Sequence, residues 1–143
     1  MKIWVLNGPN LNKIGTREPD LYGWLSYEDL EGFLRETAIR LGIDVEIFQT
    51  NHEGTLVDQI QAAQGKADGL VINAGAYTHT SIAIADAIRS VTVPAVEVHL
   101  TNIRKRERFR RRSFLKAVCV KTIMGKGFDG YAEAMEYLVQ KKQ

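Results

Sequence analysis

Glu97 and His99 stand two residues apart in the apolar run Ala95–Leu100. Side chains of an extended strand alternate between faces, so this spacing sets a carboxylate beside an imidazole. A carboxylate in that position fixes the ring's tautomer and supports its charged form, the state of a proton donor. The same pair also fits a histidine that is merely hydrogen-bonded at a strand end. The remaining histidines, His52 and His79, fall in Thr50-Asn51-His52-Glu53-Gly54 and in Asn73-Ala74-Gly75-Ala76-Tyr77-Thr78-His79-Thr80-Ser81. Asn7-Gly8-Pro9-Asn10 forms a further polar segment, although its residues are also turn formers. Thr80 and Ser81 suit the cap of a following helix, a place that also attracts carboxylates. From Arg104 to Arg112, seven of nine residues are basic. Such a run is a solvated face, a nucleic-acid patch or a set of arginines for an anionic ligand. The formal net charge of +2 is too small to argue for a polyanionic partner.

These residues need elements to position them. Five apolar runs read as strands: Lys2–Leu6, Val45–Gln49, Gly69–Asn73, Ala95–Leu100 and Ala117–Ile123. Helical patterns separate most of them. Ser26 and Asp29 have the spacing of a capping box, followed by Leu30, Phe33, Leu34, Ala38 and Leu41 at helical intervals and by Gly42 where a left-handed cap belongs. Thr55 and Asp58 repeat the signature ahead of Ile60 and Ala63. Further helices are expected over about Ser81–Val91 and Phe128–Gln140. Alternating strands and helices imply a parallel sheet with helices on both faces, and five strands suit a flavodoxin-like doubly wound fold. Ligands of such sheets bind outside the carboxyl ends of the strands. Every polar segment named above follows a strand, so the four gather on one edge and define a site.

The 143 residues make one domain, with 45% hydrophobic and 25% charged residues. The single Cys119 cannot form an internal disulfide, which suits a reducing compartment, and its valine neighbours suggest a buried, inert thiol. Ile3–Leu6 is too short for a signal-peptide core, and no apolar stretch approaches the roughly 20 residues that span a bilayer. A cytoplasmic protein with no membrane partner is expected.

Taken in order, Asn7-Gly8-Pro9-Asn10-Leu11-Asn12, Gly15-Thr16-Arg17-Glu18-Pro19, Tyr22-Gly23, Asn51-His52-Glu53-Gly54, the segment Asn73–Ser81, Glu97-Val98-His99 and Phe109-Arg110-Arg111 form a specific set. The sequence resembles the type II 3-dehydroquinate dehydratases over nearly its whole length. The resemblance implies a single catalytic domain over residues 1–143, with a lid-like loop at about 11–23. It implies loss of water from 3-dehydroquinate to give 3-dehydroshikimate, by anti elimination through an enolate, without metal or cofactor. This step belongs to the shikimate pathway, and quinate breakdown uses it too; biosynthesis is the default reading. Tyr22 matches the base that takes the C2 proton and His99 the acid that protonates the leaving C1 hydroxyl. Arg17 matches the arginine beside that tyrosine, Arg106 a second one, and Asn10 the asparagine that helps hold a water near the enolate. Asn73, Thr101 and the backbone N–H groups of Leu100 and Thr101 match the carboxylate site. His79, Arg110 and Asp86 match contacts to the ring substituents, Asp86 reaching a neighbouring subunit's site. The resemblance further implies a homododecamer built from trimers. Thr101 stands where serine is expected, and Ala74 where proline is common.

The chemistry gives these types a reason. An unperturbed tyrosine has a pKa near 10, so only about one in a thousand is ionised at pH 7. A cation within about 4–6 Å favours the phenolate, typically by one to three units. Arg17 lies five residues from Tyr22, and Arg106 could approach from another loop. Glu97 supports the acid, and Asn10 with a bound water could meet the enolate's charge. Two other readings of the fold are a flavin- or nucleotide-binding module and an RNA-binding protein using Arg104–Arg112. The first lacks a glycine-rich phosphate loop after the first strand, and the second lacks a recognisable RNA-binding module.

Overall fold

A computed structural model describes residues 1–16 and 25–143. Its centre is a five-stranded parallel sheet of β1 (Lys2–Asn7), β2 (Asp44–Gln49), β3 (Gly69–Asn73), β4 (Ala95–His99) and β5 (Lys121–Met124), in the order β2-β1-β3-β4-β5. Strand periodicity assigns the two faces. Ile3, Val5, Val71, Val96, Val98 and Ile123 pack with α1 (Tyr27–Leu41) and α4 (Asp129–Lys142). Trp4, Leu6, Leu70, Ile72 and Ala95 pack with α2 (Glu53–Ala63) and α3 (Ile82–Arg89). The central strands are therefore apolar on both sides, as a sheet covered by two helical layers requires. The flavodoxin-like architecture is as expected, and the order puts the switch point between β1 and β3.

Local signals set several boundaries. Ser26 Oγ accepts the Asp29 N–H at 3.1 Å while the Asp29 carboxylate accepts the Ser26 N–H at 2.9 Å, completing the capping box of α1. Gly42 ends that helix in the left-handed region at φ 68°. Ser81 caps α3, its Oγ accepting the Ile84 N–H at 3.0 Å.

Two expectations fail. Thr55 and Asp58 do not begin a helix, because α2 starts at Glu53 behind His52 and both residues lie inside it. Leu56, Ile60 and Ala63 bury on the core from that earlier start. The last strand does not begin at Ala117. The N–H groups of Val118 and Cys119 turn back onto the Leu115 carbonyl at 3.1 and 3.0 Å, and pairing with β4 starts at Lys121. Val118 and Cys119 pack against the core from this turn, so their apolar character mimics a strand. Cys119 is half-buried with a free thiol, and burial pushes its pKa well up, which keeps it protonated and inert. Among the described residues no helix is long and apolar enough to cross a membrane.

Candidate functional site

The carboxyl edge of the sheet carries a pocket of about 100 Å³. Its described lining comes from three strand ends: Pro9, Asn10 and Leu11 after β1, Asn73, Gly75 and Ala76 after β3, and His99, Leu100, Thr101, Ile103, Arg106 and Arg110 at and after β4. The walls approach closely because two glycines permit it. A Cβ on Gly8 would sit 2.5 Å from the Ala74 carbonyl oxygen, and one on Gly75 would sit 2.9 Å from that of Pro9. The loops after β1 and β3 thus meet backbone to backbone, and Gly75 also has φ +58°.

Asn10 takes up a left-handed conformation at φ 68°, and its N–H donates to Asn51 Oδ1 at 3.1 Å. Gln49 Nε2 donates to the same oxygen and to the Gly8 carbonyl, both at 3.2 Å, and the Tyr77 hydroxyl donates to the Asn51 carbonyl at 2.9 Å. The Asn10 wall is therefore fastened to the ends of β2 and β3. His52 serves as the helix-start residue of α2 and is not among the pocket-lining residues.

His99 is nearly buried, and its Nε2 donates to Glu97 Oε2 at 2.5 Å. Ser113 Oγ donates to that same oxygen at 2.5 Å, and Thr122 Oγ1 donates to Oε1 at 2.9 Å. Burial alone would raise the pKa of Glu97. The hydrogen bonds from His99, Ser113 and Thr122 outweigh burial and hold it below the usual carboxylate value. An ionised carboxylate accepts only, so it fixes the proton on Nε2 and leaves His99 Nδ1 as the second ring nitrogen of a pocket-lining side chain.

Beyond His99, the Thr101 hydroxyl accepts from Arg106 Nη1 at 3.3 Å. Glu107 stands between two arginines, its Oε1 3.4 Å from Arg106 Nε and its Oε2 2.8 Å from Arg110 Nε. Its own backbone N–H and Arg110 hold its carboxyl below the usual range. The basic run therefore divides: Arg106 and Arg110 line the pocket, while Arg104, Lys105, Arg108, Arg111 and Arg112 are exposed.

Of the residues expected at the site, Asn10, Asn73, His99, Leu100, Thr101, Arg106 and Arg110 come together, with Glu97 behind His99. His79 is turned elsewhere. Its Nδ1 lies 2.7 Å from the Arg112 carbonyl, and it lines a separate groove with Arg108, Phe109, Arg112 and Phe114. Burial lowers its pKa, a shift that the carbonyl partly offsets. Asp86 is exposed on α3, pairs with Arg89 at 3.0 Å, and does not line this pocket. Tyr22 and Arg17 lie outside the described residues, as does most of the expected lid. Sequence reasoning missed Ser113 and Thr122, which hold Glu97, and Glu107, which orders the arginines; spacing alone carries no signal for them. A wider groove of about 650 Å³ between α1 and α4 is lined by Glu36, Arg40, Glu133 and Glu136 among others, and is open to solvent. Among the described residues its lining includes no histidine, and Arg40 and Glu136 pair with each other at 2.8 Å. Among the described residues no cluster of histidine, cysteine and carboxylate side chains suits a metal ion.

A doubly wound α/β fold with a carboxylate-backed imidazole and paired arginines at its switch-point edge defines an acid–base enzyme for a small anionic substrate. Residues 1–139 match the family described as dehydroquinase class II, and the chain belongs to that family. It is 56% identical to the 3-dehydroquinate dehydratase of Geotalea daltonii over 131 residues, covering 92% of this chain and 91% of the relative. It is 50% identical over 136 residues to the catabolic 3-dehydroquinase of Penicillium rubens, covering 95% and 88%. The crystal structure of type II dehydroquinase from Butyrivibrio crossotus superposes with a TM-score of 0.95 at 47% identity, covering 96% and 97% of the two chains.

Proposed function

We propose that this class II dehydroquinase is a hydro-lyase that converts 3-dehydroquinate to 3-dehydroshikimate by anti elimination through an enolate. The phenolate of Tyr22 takes the C2 proton, and the C2–H electron pair moves onto the carbonyl to form the enolate. The enolate then collapses, the C1–O bond breaks, and His99 gives its proton to the departing hydroxyl, releasing water. The observation that carries the acid step is the buried pair of His99 and Glu97 beside the pocket, at 2.5 Å. An ionised Glu97 stabilises the imidazolium before proton transfer and holds the ring during it.

The other roles follow the same chemistry. Arg17 and Arg106 favour the Tyr22 phenolate, and Asn10 helps hold a water at the enolate oxygen. Asn73, the Thr101 hydroxyl and the N–H groups of Leu100 and Thr101 receive the substrate's carboxylate. Arg110 meets a ring substituent; the family resemblance, rather than the geometry of this pocket, supports a ring contact for His79 and a contact of Asp86 with the site of a neighbouring subunit in a trimer-based dodecamer. The reaction runs in the cytoplasm as part of aromatic biosynthesis.

The test is formation of the conjugated enone from 3-dehydroquinate, followed by its absorbance. Tyr22→Phe and His99→Ala should each lose at least roughly a hundredfold in turnover while remaining folded, the usual scale of a positioned acid or base. Near-normal turnover by Tyr22→Phe would remove Tyr22 from the base role. Inactivation by borohydride in the presence of substrate would indicate a Schiff base and contradict this mechanism.

A further inference from the structure

Asn7 and Asn73 are register partners at the carboxyl ends of β1 and β3, and both are buried. Two neighbouring amides carry four N–H donors and two carbonyl acceptors that need partners away from water. The phenol of Tyr131 on α4, fully buried and far away in sequence, meets both. Its hydroxyl donates to Asn7 Oδ1 at 2.7 Å and accepts from Asn73 Nδ2 at 3.0 Å.

The hydrogen-bond pattern has one consistent direction. The Gly75 N–H can only donate, and it lies 3.2 Å from the Asn73 side chain, so that atom is Oδ1. Nδ2 of Asn73 then faces Tyr131, whose oxygen must accept there and donate elsewhere. The recipient is Asn7 Oδ1, which leaves Asn7 Nδ2 to donate to the Tyr27 hydroxyl at 3.4 Å. One N–H of Asn73 is committed to Tyr131, and the other belongs to a side chain that lines the pocket. With Oδ1 held by Gly75 and Nδ2 held by Tyr131, the amide plane is fixed at two points. Burial keeps the phenol protonated by raising its pKa well above the ordinary value, so the arrangement persists across the working pH range.

We propose that Tyr131 is a positioning residue for substrate binding, which acts through Asn73 by aiming its free amide N–H at the substrate's carboxylate. The proposal rests on the carboxylate-binding reading of Asn73 given above. A donor held in its bound orientation loses little freedom when the anion arrives, so the effect falls on binding rather than on the proton transfers at Tyr22 and His99.

Steady-state kinetics on four proteins tests this: wild type, Tyr131→Phe, Asn73→Ala and the double variant. Tyr131→Phe should raise KM for 3-dehydroquinate by about tenfold, change kcat by less than about threefold, and leave the pH–rate profile in place. Asn73→Ala should raise KM at least as far, and adding Tyr131→Phe to it should raise KM no further, since the phenol then has no amide to aim. If Tyr131→Phe does not fold cooperatively, Asn7→Ala takes its place in the same cycle; it removes the phenol's other anchor and should give the same KM split at smaller size. Wild-type KM in Asn73→Ala would overturn the carboxylate reading itself. A raised KM in Asn73→Ala with wild-type KM in Tyr131→Phe would leave that reading standing and remove Tyr131 from it. So would fully additive effects in the double variant, which mark the phenol as a core residue only.

Discussion

His99 Nε2 donates to Glu97 Oε2 at 2.5 Å, and that same oxygen accepts from Ser113 Oγ. The imidazole is thus held from behind by a carboxylate that is itself held. Removing the charge while keeping the shape should expose what the charge does. Glu97→Gln is expected to lower kcat by at least roughly tenfold, within the range usual for general-acid support. Wild-type kcat in Glu97→Gln would assign the carboxylate a purely steric role.

The same carboxylate makes a prediction about acid stability. The folded pKa of Glu97 is depressed, so its ionised form stabilises the fold above the ordinary glutamate pKa of the unfolded chain, about 4.3. That contribution disappears as pH falls through the lower folded value. The stability gap between wild type and Glu97→Gln should therefore be widest near neutrality and narrow on acidification below about pH 4. Urea denaturation at a series of pH values measures it, and a pH-independent gap would refute it.

Two glycines should respond differently to one added methyl. Gly8→Ala drives a Cβ to 2.5 Å from the Ala74 carbonyl oxygen and forces apart two walls of the pocket. It should cost about 1–3 kcal/mol of stability and also reduce kcat/KM, as overpacking beside a site does. Gly42→Ala faces open space at φ +68°, far from the pocket. It should cost roughly 1–2 kcal/mol through the left-handed conformation alone, with unchanged kcat/KM. Thermal melts beside kinetics separate the two cases.

Thr101 stands where serine is expected, and its hydroxyl accepts from Arg106 Nη1 at 3.3 Å. Thr101→Ser keeps that hydroxyl and should stay within about threefold of wild-type kcat/KM, whereas Thr101→Val should lose about tenfold, mostly through KM. Equal behaviour of the two variants would show that the hydroxyl does not bind substrate.

The basic run makes the opposite kind of test, because neighbouring arginines differ in location. Arg110 lines the pocket and is ordered by Glu107, while Arg108 is exposed. Arg110→Ala should raise KM by about tenfold or more, and Arg108→Ala should leave both constants near wild type. Comparable losses from both would favour a general electrostatic role for the run.

Residue types and their spacing alone establish the class of fold and the sheet edge on which the polar loops gather. Alternating strands and helices dictate a covered parallel sheet, and strand period two places Glu97 beside His99 without any tertiary information. The capping box at Ser26 and the left-handed cap at Gly42 were equally legible, because each is satisfied within a few residues of chain. Ordered motifs also pointed to the family. Strand order, and with it the meeting of three strand ends in one pocket, required the tertiary structure, since periodicity says nothing about neighbours in a sheet. Only the fold turns Arg106 and Arg110 inward and leaves Arg108 outside, or turns His79 away from the pocket. It also decides which residues hold the Glu97 carboxylate behind His99. Ser113 and Thr122 reach Glu97 across 16 and 25 residues of sequence, and Tyr131 reaches Asn7 across 124. A buried carboxylate or amide must find its partners wherever packing supplies them, and packing is a property of the assembled layers.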